Sequence, residues 1–380
     1  MAKHKHGGDV YSQKYIADYS ANINPLGPPP GVLKAVQESA GRIANYPDVE
    51  HRELKKTLAN KTGTEPEQLI FGNGAAELIF ALALGLKPKK ALLAAPGFAE
   101  YEEALLAAGC QVEYYLLRGD KDFVIQADYL EYISSDVDML FLCNPNNPTG
   151  SLTDRRLLLQ IAEKCTQCRV TMVVDECFNG FLDEPREYTL KDWTGRYPSL
   201  FLLNAFTKIY AMPGLRLGYG ICSDPQVLEK MRRVMQPWNV SLPAQRAGVA
   251  ALSEDVYVQT ARALISEEKQ YLAGELKNMG CSVWRPAANY IFFKGPLGLA
   301  EACQRKGYLI RDCGNYRNLC AGYYRIAVRT REENAAFAAA LREIIWEAGS
   351  ETEEKADGKS NYDTGNHVQC GKEPDRSRAV

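Results

Sequence analysis

The apolar positions of the chain fall in short runs at residues 69–71, 91–95, 112–117, 139–143, 170–174, 200–203 and 217–222. Several of these runs are apolar at nearly every position. That is the pattern of strands buried on both faces, since a half-wet strand alternates. Between the runs the spacing becomes amphipathic and helical, as over 76–85 and 98–108. Strands alternating with helices predict a mostly parallel sheet covered by helices on both sides.

Residues 225–279 carry charged side chains spaced among apolar ones and read as helical. From 281 to 348 short strands and helices alternate again. The pattern divides the chain into a large domain over 41–279 and a smaller α+β domain over 280–348. Residues 1–40 are expected to join the small domain. The last stretch, 349–380, is charged and polar and reads as a disordered tail. A chain of 380 residues exceeds what one core needs, which agrees with two domains.

Composition narrows the function classes. Hydrophobic residues make up 46% and charged residues 24%, as in ordinary globular proteins. A net charge of -2 leaves no electrostatic footprint for nucleic acid. The longest apolar run, 78–86, falls well short of the ~20 residues that span a bilayer. The start, Met-Ala-Lys-His, has no apolar segment behind it, so a cytoplasmic location is expected. The 11 cysteines are odd in number and scattered, which suits reduced thiols. Cys165 and Cys168 form a Cys-x-x-Cys without a second ligand pair at zinc spacing. His4, His6, His367 and Cys370 sit near the termini. No metal site is expected from either set.

In parallel sheets ligands bind at the carboxyl ends of the strands. After the first run comes Gly72-Asn73-Gly74-Ala75, a glycine turn at a helix start where backbone N–H groups can meet an anion. A tight turn alone explains it equally well. After the second comes Phe98, a ring that could stack on a planar ligand or pack in the core. After the fourth comes the far more specific Asn144-Pro145-Asn146-Asn147-Pro148-Thr149-Gly150, which fixes an amide in a rigid loop. Asp175 ends the fifth run, where an acid is costly unless it meets a cation. Thr207 and Lys208 follow the sixth, with Arg216 close behind. Together these residues suit a phosphorylated pyridine aldehyde: donors for the phosphate, a stacking ring, an acid for the ring nitrogen and a lysine for the aldehyde.

These motifs resemble the fold-type I pyridoxal-phosphate enzymes around the histidinol-phosphate aminotransferases. Further segments resemble the threonine-phosphate decarboxylases of the cobalamin pathway. They are His6-Gly7-Gly8, Ser20-Ala21-Asn22-Ile23-Asn24-Pro25-Leu26-Gly27, Tyr46-Pro47-Asp48, Pro96-Gly97-Phe98-Ala99-Glu100-Tyr101 and Tyr323-Tyr324-Arg325. The resemblance covers about residues 6–348. It implies pyridoxal 5'-phosphate as cofactor, bound covalently by Lys208, with Asp175 at the ring nitrogen, Asn147 at the ring oxygen and Phe98 on the ring face. Gly74, Ala75, Thr207 and Arg216 would hold the cofactor phosphate. Tyr46 would reach that phosphate from the other subunit of a homodimer. Arg325 would grip a substrate carboxylate, and Arg311, His6 and Asn24 a substrate phosphate.

Two departures are informative. The resemblance implies a tyrosine at the third position after the ring-binding aspartate in aminotransferases, and this chain has Phe178. Ala205 stands where relatives place a phosphate-binding serine. The expected activity is therefore decarboxylation of L-threonine O-3-phosphate, with L-serine phosphate one methyl group away. The alternatives are an aminotransferase for histidinol phosphate and a non-enzymatic, cofactor-binding regulator.

Overall fold

The computed structural model describes residues 6–12 and 14–357. The N-terminal segment contributes one short strand, β1 (Ala17–Asp18). The large sheet follows: β2 (Leu69–Asn73), β3 (Lys90–Ala95), β4 (Gln111–Leu116), β5 (Met139–Cys143), β6 (Thr171–Asp175), β7 (Leu200–Ala205) and β8 (Leu217–Cys222). Each apolar run thus forms a strand, in the order β2-β8-β7-β6-β5-β3-β4. Only β8 runs against its neighbours, β7 and β2. The rest of the sheet is parallel.

The continuous apolar runs have the predicted cause. Phe141, Val173, Phe201 and Leu203 face one core, shared with the helices Gly74–Leu86 and Ala99–Ala107. Leu140, Leu142, Val174 and Leu202 face the opposite core, shared with the helix Arg155–Cys168. Both faces are dry, so alternation disappears from the sequence.

The smaller unit is antiparallel. Its strands are β9 (Ser282–Val283), β10 (Tyr290–Lys294), β11 (Tyr308–Leu309), β12 (Arg311–Asp312) and β13 (Tyr323–Ala327). Four of them pair in the order β12-β13-β10-β9. β11 pairs in parallel with β1, which ties the N-terminal segment to this unit. Tyr19 stacks on Phe337 with ring centroids 4.0 Å apart.

Three boundaries differ from the sequence expectation. The helix Pro30–Ser39 lies within the segment assigned to the small domain, but it packs on the helix Leu242–Ala251 of the large one. The helix Asp255–Asn278 was assigned to the large domain. Its Ile265, Leu272 and Leu276 are buried in the small-domain core. Apolar spacing reports that a helix is covered, not which partner covers it. The last helix, Arg331–Asp357, continues past residue 348 into the segment read as a tail, where Glu, Lys and Ala have high helix propensity. The remainder, 358–380, with His367 and Cys370, lies outside the described residues, as does His4. No described helix is long and apolar enough to cross a membrane.

Phe141 is 1% exposed on β5 and stacks on Tyr101 at 4.9 Å. Phe141→Ala should cost about 3–5 kcal/mol of stability, the usual range for truncating a core ring. Urea denaturation reads this as a lower midpoint, and a loss below ~1 kcal/mol would show that the packing at this strand collapses freely.

Candidate active site

A cavity of about 240 Å³ lies where the carboxyl ends of the large sheet's strands meet the small domain. Strand ends and the loops just after them deliver Phe98, Asn147, Asp175, Thr207 and Lys208 to its lining. The helix start brings Ala75, the loop before β8 brings Arg216, and β12 and β13 bring Arg311 and Arg325.

Asp175 is the last residue of β6 and is 5% exposed. Its carboxylate accepts a hydrogen bond from the Tyr101 hydroxyl at 2.6 Å and another from the Cys177 backbone N–H at 2.9 Å. Burial raises its pKa above the ordinary carboxylate range, while these bonds and Lys208 oppose the rise. A cation at the open side would complete its coordination. Glu176, next in sequence, turns away. It accepts from Thr189 Oγ1 at 2.7 Å and from the Leu190 N–H at 2.9 Å.

Lys208 sits on the one-turn helix Phe206–Ile209 that follows β7. Burial, with Arg325 and Arg216 nearby, lowers its pKa to about 8. Its Nζ lies 5.9 Å from the centroid of the Phe178 ring. That ring is held edge-on to Tyr290 at 5.0 Å.

Asn147 and Arg325 form one unit. Arg325 Nη1 donates to Asn147 Oδ1, and Nη2 donates to the Ser20 carbonyl at 2.8 Å. Its Nε is buried without a partner among the described residues. Arg311 Nη2 donates to Asn315 Oδ1 at 2.9 Å, and its guanidinium lies 5.0 Å from the Tyr316 ring centroid.

The anion cradle at the start of the helix Gly74–Leu86 depends on glycine. Gly74 has φ +78°, and a Cβ there would lie 2.4 Å from Arg216 Nη2. A Cβ on Gly218 would lie 2.4 Å from the Ala75 backbone nitrogen. Any larger side chain would fill the space beside the N–H groups and the guanidinium.

Of the remaining expected residues, Asn24 is placed differently, His6 lines the cavity beside a carboxylate, and Tyr46, expected to act from the other subunit, lies outside the cavity of its own chain. The Asn24 amide donates to the Ile209 carbonyl at 2.7 Å and its Oδ1 accepts from Leu26 N–H at 3.1 Å. Both ends are used in bracing the backbone behind Lys208, so Asn24 is not a substrate ligand here. Asn22, two residues earlier, lines the cavity instead, with its Oδ1 buried and unpartnered. His6 lines the cavity but lies 3.3 Å from Glu100, a carboxylate. Tyr46 is 79% exposed and stacks on Trp238 at 4.7 Å, outside the cavity of its own chain.

Asn22 and Glu100, which line the cavity, and Tyr101, which braces Asp175, stand in the motifs that carry the family resemblance but have no role assigned there. No spacing links Tyr101 to Asp175, which lies on another strand. Among the described residues no group of three or more His, Cys, Asp or Glu is placed to hold a metal.

The donor set fits pyridoxal phosphate. A glycine cradle and Arg216 suit its phosphate, a buried acid its ring nitrogen, and a lysine of lowered pKa its aldehyde. Comparison with known proteins agrees. The family model for class I and II aminotransferases matches residues 16–341. A threonine-phosphate decarboxylase from Salmonella typhimurium is 36% identical over 90% of this chain and 96% of its own length. The crystal structure of a histidinol-phosphate aminotransferase from Clostridium acetobutylicum is 30% identical and superposes with a TM-score of 0.81, covering 86% of this chain and 98% of that one. The histidinol-phosphate aminotransferase of Sinorhizobium meliloti, solved with pyridoxal 5'-phosphate, shares the fold at a TM-score of 0.79 and 22% identity, over 88% of this chain and 92% of that one. The chain therefore belongs to the class I and II aminotransferase family and is a pyridoxal-phosphate-dependent enzyme of fold type I.

Proposed function

We propose that this enzyme decarboxylates L-threonine O-3-phosphate to (R)-1-amino-2-propanol O-2-phosphate, the aminopropanol linker unit of cobalamin. L-Serine phosphate, which would give ethanolamine phosphate, is the second substrate to assay. It lacks one methyl group, a difference worth only about 1–3 kcal/mol of discrimination.

One observation carries this reading. Arg311 and Arg325 are direct register partners across β12 and β13, each 6% exposed, and both line the cavity that holds Lys208. Two buried cations side by side repel each other. A substrate with both a carboxylate and a phosphate would neutralise the pair. Arg325, with its unpartnered Nε, would take the carboxylate, and Arg311 and His6 the phosphate. The similarity to the Salmonella decarboxylase supports the same choice. So does Phe178, which presents a ring without a hydroxyl beside Lys208.

When bound, pyridoxal phosphate supplies an electron sink for the pair released as a bond at Cα breaks. Gly74, Ala75, Thr207 and Arg216 would hold its phosphate, Phe98 its ring face and Asn147 its ring oxygen. Asp175, steadied by Tyr101, would keep a proton on the ring nitrogen. Arg325 is fixed by Asn147 and Ser20 before any substrate arrives, so it sets the carboxylate's angle. That angle selects the Cα–carboxylate bond over Cα–H. Lys208, with its pKa near 8, can carry a proton to Cα afterwards. The reading includes a homodimer in which Tyr46 crosses to the second subunit. Tyr46 stands exposed beside Trp238, with Ile43 and Val49 also exposed, as an unpaired apolar face would require.

The deciding assay incubates the holoenzyme with L-threonine phosphate and measures carbon dioxide and the phosphorylated amine. Glutamate-dependent keto-acid turnover without carbon dioxide would establish an aminotransferase instead. Arg325→Lys keeps the charge but loses the planar fork. It should lower kcat/KM for threonine phosphate by about 10- to 100-fold, the value of one charged hydrogen bond. An unchanged kcat/KM would remove Arg325 from the site. Cofactor capture needs the neutral Lys208 amine. In cofactor-free protein the rate of capture, followed by absorbance, should rise about tenfold per pH unit and level off above about 8. A rise continuing to pH ~10 would mean that Lys208 has an ordinary lysine pKa.

A further inference from the structure

Asp175 has a cation to meet at the ring nitrogen, but a second carboxylate, Glu100, also faces the cavity where two anions would bind. It is the second residue of the helix Ala99–Ala107, and its side chain is 14% exposed. Oε1 lies 3.3 Å from His6 Nδ1. Oε2 is buried and has no hydrogen-bond partner among the described residues. The charged groups around it come from several elements: His6 from the N-terminal segment, Lys208 from the helix after β7, Arg311 from β12 and Glu103 from its own helix.

We infer that Glu100 is a substrate-binding residue that acts as a neutral acid, its Oε2 hydroxyl donating a hydrogen bond to the substrate phosphate, so that binding takes up one proton. This inference rests on the phosphorylated-substrate reading above. An ionised Glu100 beside a phosphate held by Arg311 would repel it. A protonated one supplies a donor, and Oε2 is the oxygen left open to do so. The burial that would penalise a carboxylate favours the neutral acid. Burial first, then Glu103, push this carboxyl up to about 7, against the pull of Lys208 and Arg311. Protonation at neutral pH is thereby eased, and a dianion nearby favours the neutral acid further.

The proton balance is simple. Above pH ~7 the free site holds the carboxylate, and a phosphate monoester is already dianionic because its second pKa is ~6. Complex formation draws one proton from solvent onto Oε2. Apparent affinity therefore falls about tenfold for each pH unit above 7.

The test uses 3-phosphooxybutanoate, the substrate skeleton without its amine, which cannot react with the cofactor. Titration calorimetry of the holoenzyme in two buffers of different ionisation heat counts protons. Working with His6→Gln protein removes the imidazole from the count. At pH 8.5 this protein should take up close to one proton per site and bind about tenfold more weakly than at pH 7.5. Adding Glu100→Gln, whose amide donates without titrating, should abolish the uptake and flatten the affinity between these pH values. No uptake in the His6→Gln protein, or equal uptake with and without Glu100→Gln, overturns the inference while leaving the phosphorylated substrate intact. Failure of the probe to bind wild-type holoenzyme at any pH overturns the phosphorylated-substrate reading, and the role of Glu100 falls with it.

Discussion

A buried charge is tolerated only where something of opposite sign meets it, and the centre of this molecule gathers many charges in one small space. Asp175 and Glu100 supply carboxyl groups to the cavity, and Lys208, Arg216, Arg311 and Arg325 supply cations. The protein satisfies them only in part. Tyr101 braces Asp175, Asn147 braces Arg325, and Arg325 keeps an open Nε. The two arginines are fixed opposite each other by strand register, so they cannot separate to relieve their repulsion. The shortfall is what a charged cofactor and a doubly anionic substrate would fill. Stability given up at this point is recovered from the dry cores on both faces of the large sheet.

Much of this arrangement was legible in the chain because two physical rules coincide. Strands buried on both faces read as continuous apolar runs, and parallel strands place their next residues at one edge. Lys208, Asp175 and Asn147 could therefore be found by looking just beyond each run. The antiparallel β8 did not spoil this, since Arg216 precedes its strand and so reaches the same edge. Asn24 was misread because a motif gives proximity, not direction. Its amide points back into the chain, and Asn22 takes the inward place.

Glu100 and Tyr101 were hidden for a related reason. They are adjacent on one helix and read as ordinary first-turn residues. Helical geometry sends one toward the small domain and the other beneath β6, and only the packed structure reveals the two destinations. The domain boundary failed in a similar way. The helix Asp255–Asn278 is amphipathic whichever core covers it, so its pattern holds no record of which core does.

The contact between Ser20 and Arg325 spans 305 residues of sequence, and that between Tyr19 and Asn334 spans 315. β1 likewise waits for β11 before it has any strand to pair with. The N-terminal segment is thus held by partners that lie about 300 residues further along the chain. The large sheet is closed on one side by a long-range pairing of its own, β2 with β8, and none of its strands pairs with the N-terminal segment. The cavity is walled on one side by that segment and by β12 and β13, so residues 6–22 and 311–325, far apart in the chain, must come together before the site is complete.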